Sequence, residues 1–116
     1  MNEIEINGEI YIKKSSVEPM IKSKYVIVRT YSAGVFAGNI ESQDGKHVVM
    51  LNARRLWYWD GGSSLSELAV KGTSKPENCK FPCPVDRIEL TEVIEILNVT
   101  DIAKKSIESV KEWSSH

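Results

Sequence analysis

Two arginines and three aromatic rings are concentrated in one short segment, ARRLWYWDGG, at residues 53–62. A guanidinium presents a rigid fork of donors that matches a phosphate group, and an indole offers a flat face on which a base can stack. This combination is typical of a pocket for a ligand that is both flat and anionic, such as a nucleotide. The alternative is an edge strand whose aromatic side chains belong to the core.

Side chains of a β-strand point alternately to its two faces, so this segment predicts two different surfaces. One face carries Arg54, Leu56 and Tyr58, and the apolar Leu56 suits contact with the core. The opposite face, which sets a cation beside two indoles, carries Arg55, Trp57 and Trp59. We expect the second face to bind the ligand. The alternative for that face is burial of both tryptophans at a subunit contact, with the arginine lying over them.

Two other segments offer ligand contacts. TYSAGVFAGNI, at 30–40, has small residues in an apolar hairpin, so a ligand or another chain can approach its backbone closely. Hydroxyl and amide groups near its turn can donate to phosphate. The segment 73–84 holds three prolines and predicts a rigid loop that closes over a base. The candidate ligand-binding residues are therefore Arg29, Tyr31, Ser32, Gly34, Phe36, Arg54, Arg55, Trp57, Trp59, Asn78, Lys80, Phe81 and Arg87.

Signatures of catalysis are weak by comparison. The sequence has no glycine-rich phosphate loop with its lysine, no HExxH and no GxSxG. His47 is the one internal histidine, and an isolated histidine at the start of a strand is typical of a structural or surface position. Cys79 and Cys83, with two histidines in the chain, make a poor set of zinc ligands. We therefore predict a binding protein without catalytic residues, metal or cofactor.

The composition restricts the partners. The chain has 116 residues, 41% of them hydrophobic and 27% charged, which is typical of one globular domain. A net charge of -1 provides little attraction to a nucleic-acid polymer, so phosphate recognition must be local and the ligand small. No stretch approaches the ~20 apolar residues of a membrane span, and no signal-peptide pattern is present. We predict a cytoplasmic protein that contacts neither membrane nor nucleic-acid polymer.

The spacing of apolar residues predicts an α+β fold with a mainly antiparallel meander. Alternating isoleucines around Asn7-Gly8 predict that residues 1–22 form an N-terminal β-hairpin extension and linker. Residues 23–116 would form a single ligand-binding and oligomerisation domain. Strands are predicted at 24–31, 35–42 and 47–59, followed by one or two more strands in 85–97.

Two helices complete the prediction. Ser64 and Glu67 have the spacing of a capping box and predict a short helix that ends at Gly72. Thr100 or Asp101 would cap a C-terminal helix. The predicted inward stripe of this helix is Ile102, Ala103, Ile107, Val110 and Trp113.

Three long strings resemble the phage Thoeris anti-defence sponge family of the first described type. They are KYVIVRTYSAGVFAG, ARRLWYWDGGSSLSELA and KPENCKFPCPVDRIELTEVIEIL, and the resemblance covers about residues 24–113. It implies a non-catalytic phage protein in the cytoplasm of the infected bacterial host. Such a protein binds glycocyclic ADP-ribose, the signal made by the host TIR-domain enzyme, and holds it intact, so that the Thoeris NADase effector is not activated.

The resemblance also implies a homo-oligomer, either a dimer or a hexamer built from dimers, with signal pockets at the dimer interface. Some members of that family take up cyclic oligonucleotide signals at separate sites. Two alternatives stay open from the residues themselves. One is a phosphodiesterase that degrades the signal with His47 as its base. The other is a structural or interaction protein whose tryptophan-rich strand is an oligomer contact.

Overall fold

A computed structural model describes residues 24–114, so the predicted N-terminal hairpin extension at 1–22 lies outside the described residues. Within 24–114 the chain forms an α+β fold, which confirms the predicted class. The elements in chain order are β1 (Tyr25–Thr30), β2 (Val35–Asp44), β3 (His47–Arg55), α1 (Leu65–Lys71), β4 (Val85–Leu90), β5 (Val93–Asn98) and α2 (Asp101–Ser109), with one 3₁₀ turn at Pro76–Asn78. In this part of the chain no helix has both the length and the apolar character needed to cross a membrane.

The five strands form one sheet in the order β4-β3-β2-β1-β5, and every neighbouring pair is antiparallel. The segment 85–97, predicted as one or two strands, contains two, and they lie at opposite edges of the sheet. The predicted third strand is shorter than expected, because β3 ends at Arg55 rather than at residue 59. The segment 56–59 leaves the sheet and pairs with a loop, as described below.

The sheet is strongly bent, because its two edge strands are joined by only two residues between Leu90 and Val93. In a flat sheet, four strand spacings of about 4.8 Å would separate the edges by about 19 Å. Three Cα–Cα steps of about 3.8 Å reach at most about 11 Å. Accordingly, the turn between β2 and β3 lies against the start of β5, where the amide of Val93 donates to the carbonyl oxygen of Lys46 at 3.1 Å.

A bulge in the β2–β3 pair contributes to this bend. Between Ala37 and Asn39 the pairing advances two residues along β2 but three along β3. The extra residue of β3 is accommodated by Asn52, which has a left-handed backbone with φ 54. The strands approach so closely here that a Cβ added to Gly38 would lie 2.8 Å from the Cα of Ala53. Glycine is therefore required where the two backbones approach so closely.

Buried apolar side chains form two clusters on the two faces of the sheet, as the alternation along β1 requires. The strand-only cluster lies inside the bend and consists of Val26, Val28, Phe36, Val48, Met50, Ala53, Leu90 and Val93. The helix-side cluster joins the sheet to both helices and consists of Ile27, Ala37, Leu56, Leu68, Ala69, Cys79, Phe81, Ile107 and Val110. The second cluster is the one that supports the candidate site.

Both helices begin at the predicted caps. The hydroxyl of Ser64 accepts the amide of Glu67 at 3.1 Å, and α1 ends at Gly72, which has φ 76. The hydroxyl of Thr100 accepts the amide of Ala103 at 3.1 Å and so caps α2. These bonds satisfy amide groups that have no partner inside the helix.

The buried face of α2 differs from the predicted stripe at two positions, residues 102 and 113. Ala103, Ile107 and Val110 are buried, but Ile102 is 73% exposed. Spacings of four and three residues place the buried three on one side of the helix, and residue 102 falls beside that side. Trp113 lies beyond the end of the helix, where it contacts a second tryptophan.

Candidate functional site

Three short segments lie side by side beyond the end of β3. In the first pair, the amide of Lys80 donates to the carbonyl of Tyr58 at 2.8 Å, and the amide of Tyr58 donates back at 3.3 Å. In the second, the amide of Trp113 donates to the carbonyl of Phe81 at 3.0 Å, beside a parallel bridge between Phe81 and Glu112. This arrangement brings together aromatic and basic side chains that are far apart in the sequence.

An open groove of about 450 Å³ lies between the β1–β2 turn and the segment that follows β3. Its volume falls within the range typical of pockets for small ligands. The lining residues are Ser32, Ala33, Gly34, Val35, Arg55, Leu56, Trp57 and Trp59. Five of them belong to the predicted set: Ser32, Gly34, Arg55, Trp57 and Trp59. The structure therefore places the cation, the two indoles and the small-residue turn around one concavity.

Arg55 is the basic group of this groove. Its guanidinium carbon lies 4.6 Å from the centroid of the Phe36 ring, and this cation–π contact holds the side chain over the sheet. Among the described residues, Arg55 has no carboxylate or carbonyl partner. Two other arginines are paired with carboxylates: Arg29 donates to Glu95 at 2.8 Å, and Arg87 binds two carboxylates on β2 and β4. Arg55 thus retains its donors for an anion.

Arg54, the adjacent residue, has a different role from the one predicted. Its Nε donates to the carbonyl of Pro82 at 3.1 Å and its Nη1 to that of Ile107 at 3.1 Å. Its Nη2 donates to the carbonyls of Phe81 at 3.1 Å and Val110 at 2.6 Å. Burial lowers the pKa of this guanidinium. Hydrogen bonds to four backbone carbonyls offset the cost of burying its charge. Four of its five N–H donors are thus engaged in holding the proline loop and the end of α2 together.

The β1–β2 turn presents a rigid wall to the groove. The hydroxyl of Thr30 donates to the carbonyl of Gly34 at 2.8 Å, and Gly34 has φ 104, a left-handed conformation that suits glycine. A Cβ at Gly34 would lie 3.8 Å from the Nε of Arg55, so the turn and the cation are close neighbours. The hydroxyl of Ser32 is already engaged, because it donates to a carboxylate oxygen of Glu92 at 2.6 Å.

A stacked pair of tryptophans flanks the groove. The rings of Trp57 and Trp113 lie 5.0 Å apart with an interplanar angle of 15°. The ammonium of Lys80 lies 5.4 Å from the Trp57 ring, 5.9 Å from the Tyr58 ring and 5.6 Å from the Trp113 ring. Trp57 remains 59% exposed despite these contacts. The exposed indole is therefore held in position by neighbours rather than by burial.

Two predicted ligand contacts are buried phenylalanine rings. Phe81, expected to close over a bound base, is fully buried in the helix-side cluster with the guanidinium carbon of Arg54 at 5.5 Å from its ring. Phe36 is 2% exposed and lies beneath Arg55. Both rings are core residues that support cations, and neither has a free face for stacking.

The remaining predicted residues lie outside the groove lining. Asn78 donates to a carboxylate oxygen of Asp60 at 3.0 Å, and this bond is the main cause of the lowered pKa of Asp60. Tyr31 is 79% exposed and does not line the groove. Arg29 and Arg87 are held in exposed ion pairs. Trp113 is the contact that the sequence did not reveal as part of the site, because the pairing that brings it to Trp57 is tertiary.

The one catalytic candidate lies outside the groove lining. The Nε2 of His47 lies 3.1 Å from a carboxylate oxygen of Glu89, and this contact is the main cause of the lowered pKa of Glu89. Neither residue lines the groove. Within residues 24–114, no cluster of three or more histidine, cysteine or acidic side chains is arranged to hold a metal ion.

Comparison with known proteins gives one match. Neither the curated proteins nor the solved structures contain a match to the chain. A family described as a domain of unknown function (DUF6948) matches residues 23–107, which include the whole sheet and the groove lining. The match covers most of the chain, and the protein therefore belongs to this family.

Proposed function

We propose that this protein is a phage anti-defence sponge that binds glycocyclic ADP-ribose and sequesters it without cleavage. The signal is made by host TIR proteins, and its capture would deprive the Thoeris NADase effector of its activator. The observation that best supports this proposal is the position of Arg55, without a carboxylate or carbonyl partner among the described residues, beside Trp57 and Trp59 in one groove.

The groove has the chemistry that such a ligand requires. A cyclic ADP-ribose carries an adenine and a pyrophosphate, so it needs a flat surface and a cation close together. Arg55 can donate two parallel charge-assisted hydrogen bonds to a phosphate. Stacking of the adenine on an exposed indole contributes about 1–3 kcal/mol. Gly34 has no side chain, which lets a phosphate approach the turn beside the guanidinium.

The lining of the groove favours retention of the ligand over hydrolysis. Among the described residues, the lining contains no histidine, aspartate or glutamate, the residues that most often serve as a general base. A carboxylate beside the turn, that of Glu92, accepts a hydrogen bond from the hydroxyl of Ser32. His47, the base required by a phosphodiesterase, is paired with Glu89 and lies outside the lining. These positions support a binding protein more than an enzyme.

The proposal includes assembly into a dimer or a hexamer. A sponge must bind at nanomolar levels, which requires about -12 kcal/mol. In one copy of the chain the groove is open, and Trp57 and Tyr31 are 59% and 79% exposed. A second copy lying over these rings would exclude water and strengthen the charged contacts of Arg55. We also propose separate sites for cyclic oligonucleotides. The protein would act in the cytoplasm of the infected host.

A capture-and-release experiment tests the proposal. Purified protein is incubated with glycocyclic ADP-ribose, separated from free ligand, denatured, and the released nucleotide is identified by mass spectrometry. Stoichiometric release of intact ligand is expected. Release of a cleaved product would indicate a phosphodiesterase, and His47→Ala would then test the base. Assembly without any retained nucleotide would support a structural protein instead, and a native mass spectrum measures both stoichiometry and assembly.

A further inference from the structure

The segment that follows α2, residues 110–113, contacts the candidate site through Trp113. It begins at the end of α2 and runs beside the segment 79–82, where the amide of Trp113 donates to the carbonyl of Phe81 at 3.0 Å. Its first residue, Val110, is held by Arg54 at 2.6 Å. The segment lies beyond residues 23–107, the part matched by the family. Its main chain is therefore fixed at both ends by bonds unrelated to the tryptophan stack.

We propose that Trp113 is a positioning residue that holds the indole of Trp57 in the orientation needed at the groove. The two rings are 5.0 Å apart and nearly parallel, and Trp57 also lines the groove. Trp113 covers one face of the Trp57 indole, so a ligand in the groove meets the part of this ring that Trp113 leaves exposed. The C-terminal segment thus determines which face of Trp57 a ligand meets.

The exposure of Trp57 explains why it needs such support. A side chain that is 59% exposed has few core contacts to select one rotamer. An indole that is free to change rotamer must be immobilised when a ligand stacks on it, and that ordering weakens binding. Trp113 orders the ring in advance, since its own main chain is already anchored.

Lys80 reinforces the stack. Its ammonium lies 5.4 Å from the Trp57 ring and 5.6 Å from the Trp113 ring, close enough for cation–π attraction to both. It has no ion pair among the described residues, so the rings are its principal partners. Lys80 therefore helps to hold the two indole rings together and adds positive charge near the groove.

Two measurements on the full chain test this inference. Fluorine NMR of protein labelled with fluorotryptophan reports the environment of Trp57, whose resonance is assigned with Trp57→Phe. Circular dichroism reports the exciton coupling of the stacked pair. In Trp113→Ala we expect the Trp57 resonance to narrow and shift towards its position in unfolded protein, with loss of the exciton signal. Trp113→Phe should keep the Trp57 resonance close to wild type, because a flat ring is retained.

Affinity is measured with glycocyclic ADP-ribose as the probe, and this part rests on the proposed function. Trp113→Ala should bind about fivefold more weakly, the size expected for one side chain that must be ordered on binding, and Trp113→Phe should recover most of the loss. Lys80→Gln provides a milder second variant with a smaller shift in both readouts. Ile102→Ala, an exposed change on α2, should match wild type in both.

The outcomes separate this inference from the proposed function. An unchanged Trp57 resonance in folded Trp113→Ala and in Lys80→Gln overturns the positioning role. A changed resonance with unchanged affinity overturns the link to the groove and leaves the sponge intact. If wild type does not bind the probe, the proposed function fails, and the fluorine spectra still decide whether Trp113 orients Trp57.

Discussion

The guanidinium of Arg54 donates to the carbonyl oxygen of Val110 across 2.6 Å, and this bond connects the end of β3 to the end of α2. Because strand side chains alternate, the next residue, Arg55, points to the other face and lines the groove. The two adjacent arginines thus have different roles. Arg54 supports the C-terminal segment, and Arg55 presents its charge to solvent beside Trp57.

Replacement of Arg54 by methionine should destabilise the fold strongly. The change leaves four carbonyl groups, those of Phe81, Pro82, Ile107 and Val110, without their donor. We expect the free energy of unfolding to fall by about 3 kcal/mol, measured by urea denaturation.

Arg87→Met is the matched control, because it removes the same charge from an exposed ion pair on β4. Exposed pairs contribute little, so this variant should unfold near the wild-type midpoint. Equal stability of the two variants would contradict the structural role of Arg54.

The close approach of β2 to β3 at Gly38 leads us to expect that a larger residue there destabilises the sheet. In Gly38→Ala the new Cβ would lie 2.8 Å from the Cα of Ala53 and 3.0 Å from the carbonyl oxygen of Asn52. Backbone cannot yield as a side chain does, so we expect a loss of about 2 kcal/mol in thermal or urea unfolding. In the control Gly62→Ala the nearest atom is 3.6 Å away, and stability should stay within about 0.5 kcal/mol. Comparable losses would show that the β2–β3 pair relaxes freely.

Much of the fold was predictable because its signals are local. The strands follow runs of β-branched residues, and the caps at Ser64 and Thr100 depend on bonds that span three residues. The end of β3 was not predictable in this way. The aromatic run continues to Trp59, but Tyr58 pairs with Lys80 of the proline loop instead of with β2, so a tertiary contact overrides the strand pattern.

The candidate site was predicted only in part, for the same physical reason. The residue types that suit a nucleotide are visible in the sequence, and five predicted residues meet at the groove. The alternation of strand side chains puts Arg54 on the core face, but the sequence does not show that its donors are engaged there, because the carbonyls that accept them come from distant segments. Phe36 and Phe81 were assigned to the ligand for their rings, yet full burial makes them core residues.

Because Tyr25 has a buried phenol, we expect the free energy of unfolding to fall at alkaline pH. Burial, followed by the nearby charge of Glu108, raises the pKa of its phenol from 10.0 to about 12. The folded state therefore favours the neutral phenol, and the stability from this preference is complete below pH 10.0 and is lost as the pH rises towards about 12. Tyr25→Phe should reduce the fall in unfolding free energy between neutral pH and pH of about 11.

The control for that experiment is Tyr31→Phe, which changes an exposed phenol. It should reproduce the alkaline response of the wild type, because it leaves the buried phenol of Tyr25 in place and removes only an exposed hydroxyl. An identical alkaline response in wild type and Tyr25→Phe would mean that Tyr25 ionises without cost in the folded chain.

Arg55→Gln should weaken capture of glycocyclic ADP-ribose more than any change at the other exposed arginines. Loss of a charge-assisted pair of hydrogen bonds corresponds to about 2 kcal/mol, or about thirtyfold in Kd by calorimetry. Arg87→Gln removes an equal charge from an exposed pair with Glu41 and Glu89, so it should bind as wild type does. Since Arg55 is exposed and its guanidinium has no hydrogen bond or ion pair among the described residues, its replacement should leave the unfolding midpoint nearly unchanged. Equal affinities for the two variants would place the phosphates away from Arg55 and remove the main support for this groove as the binding site.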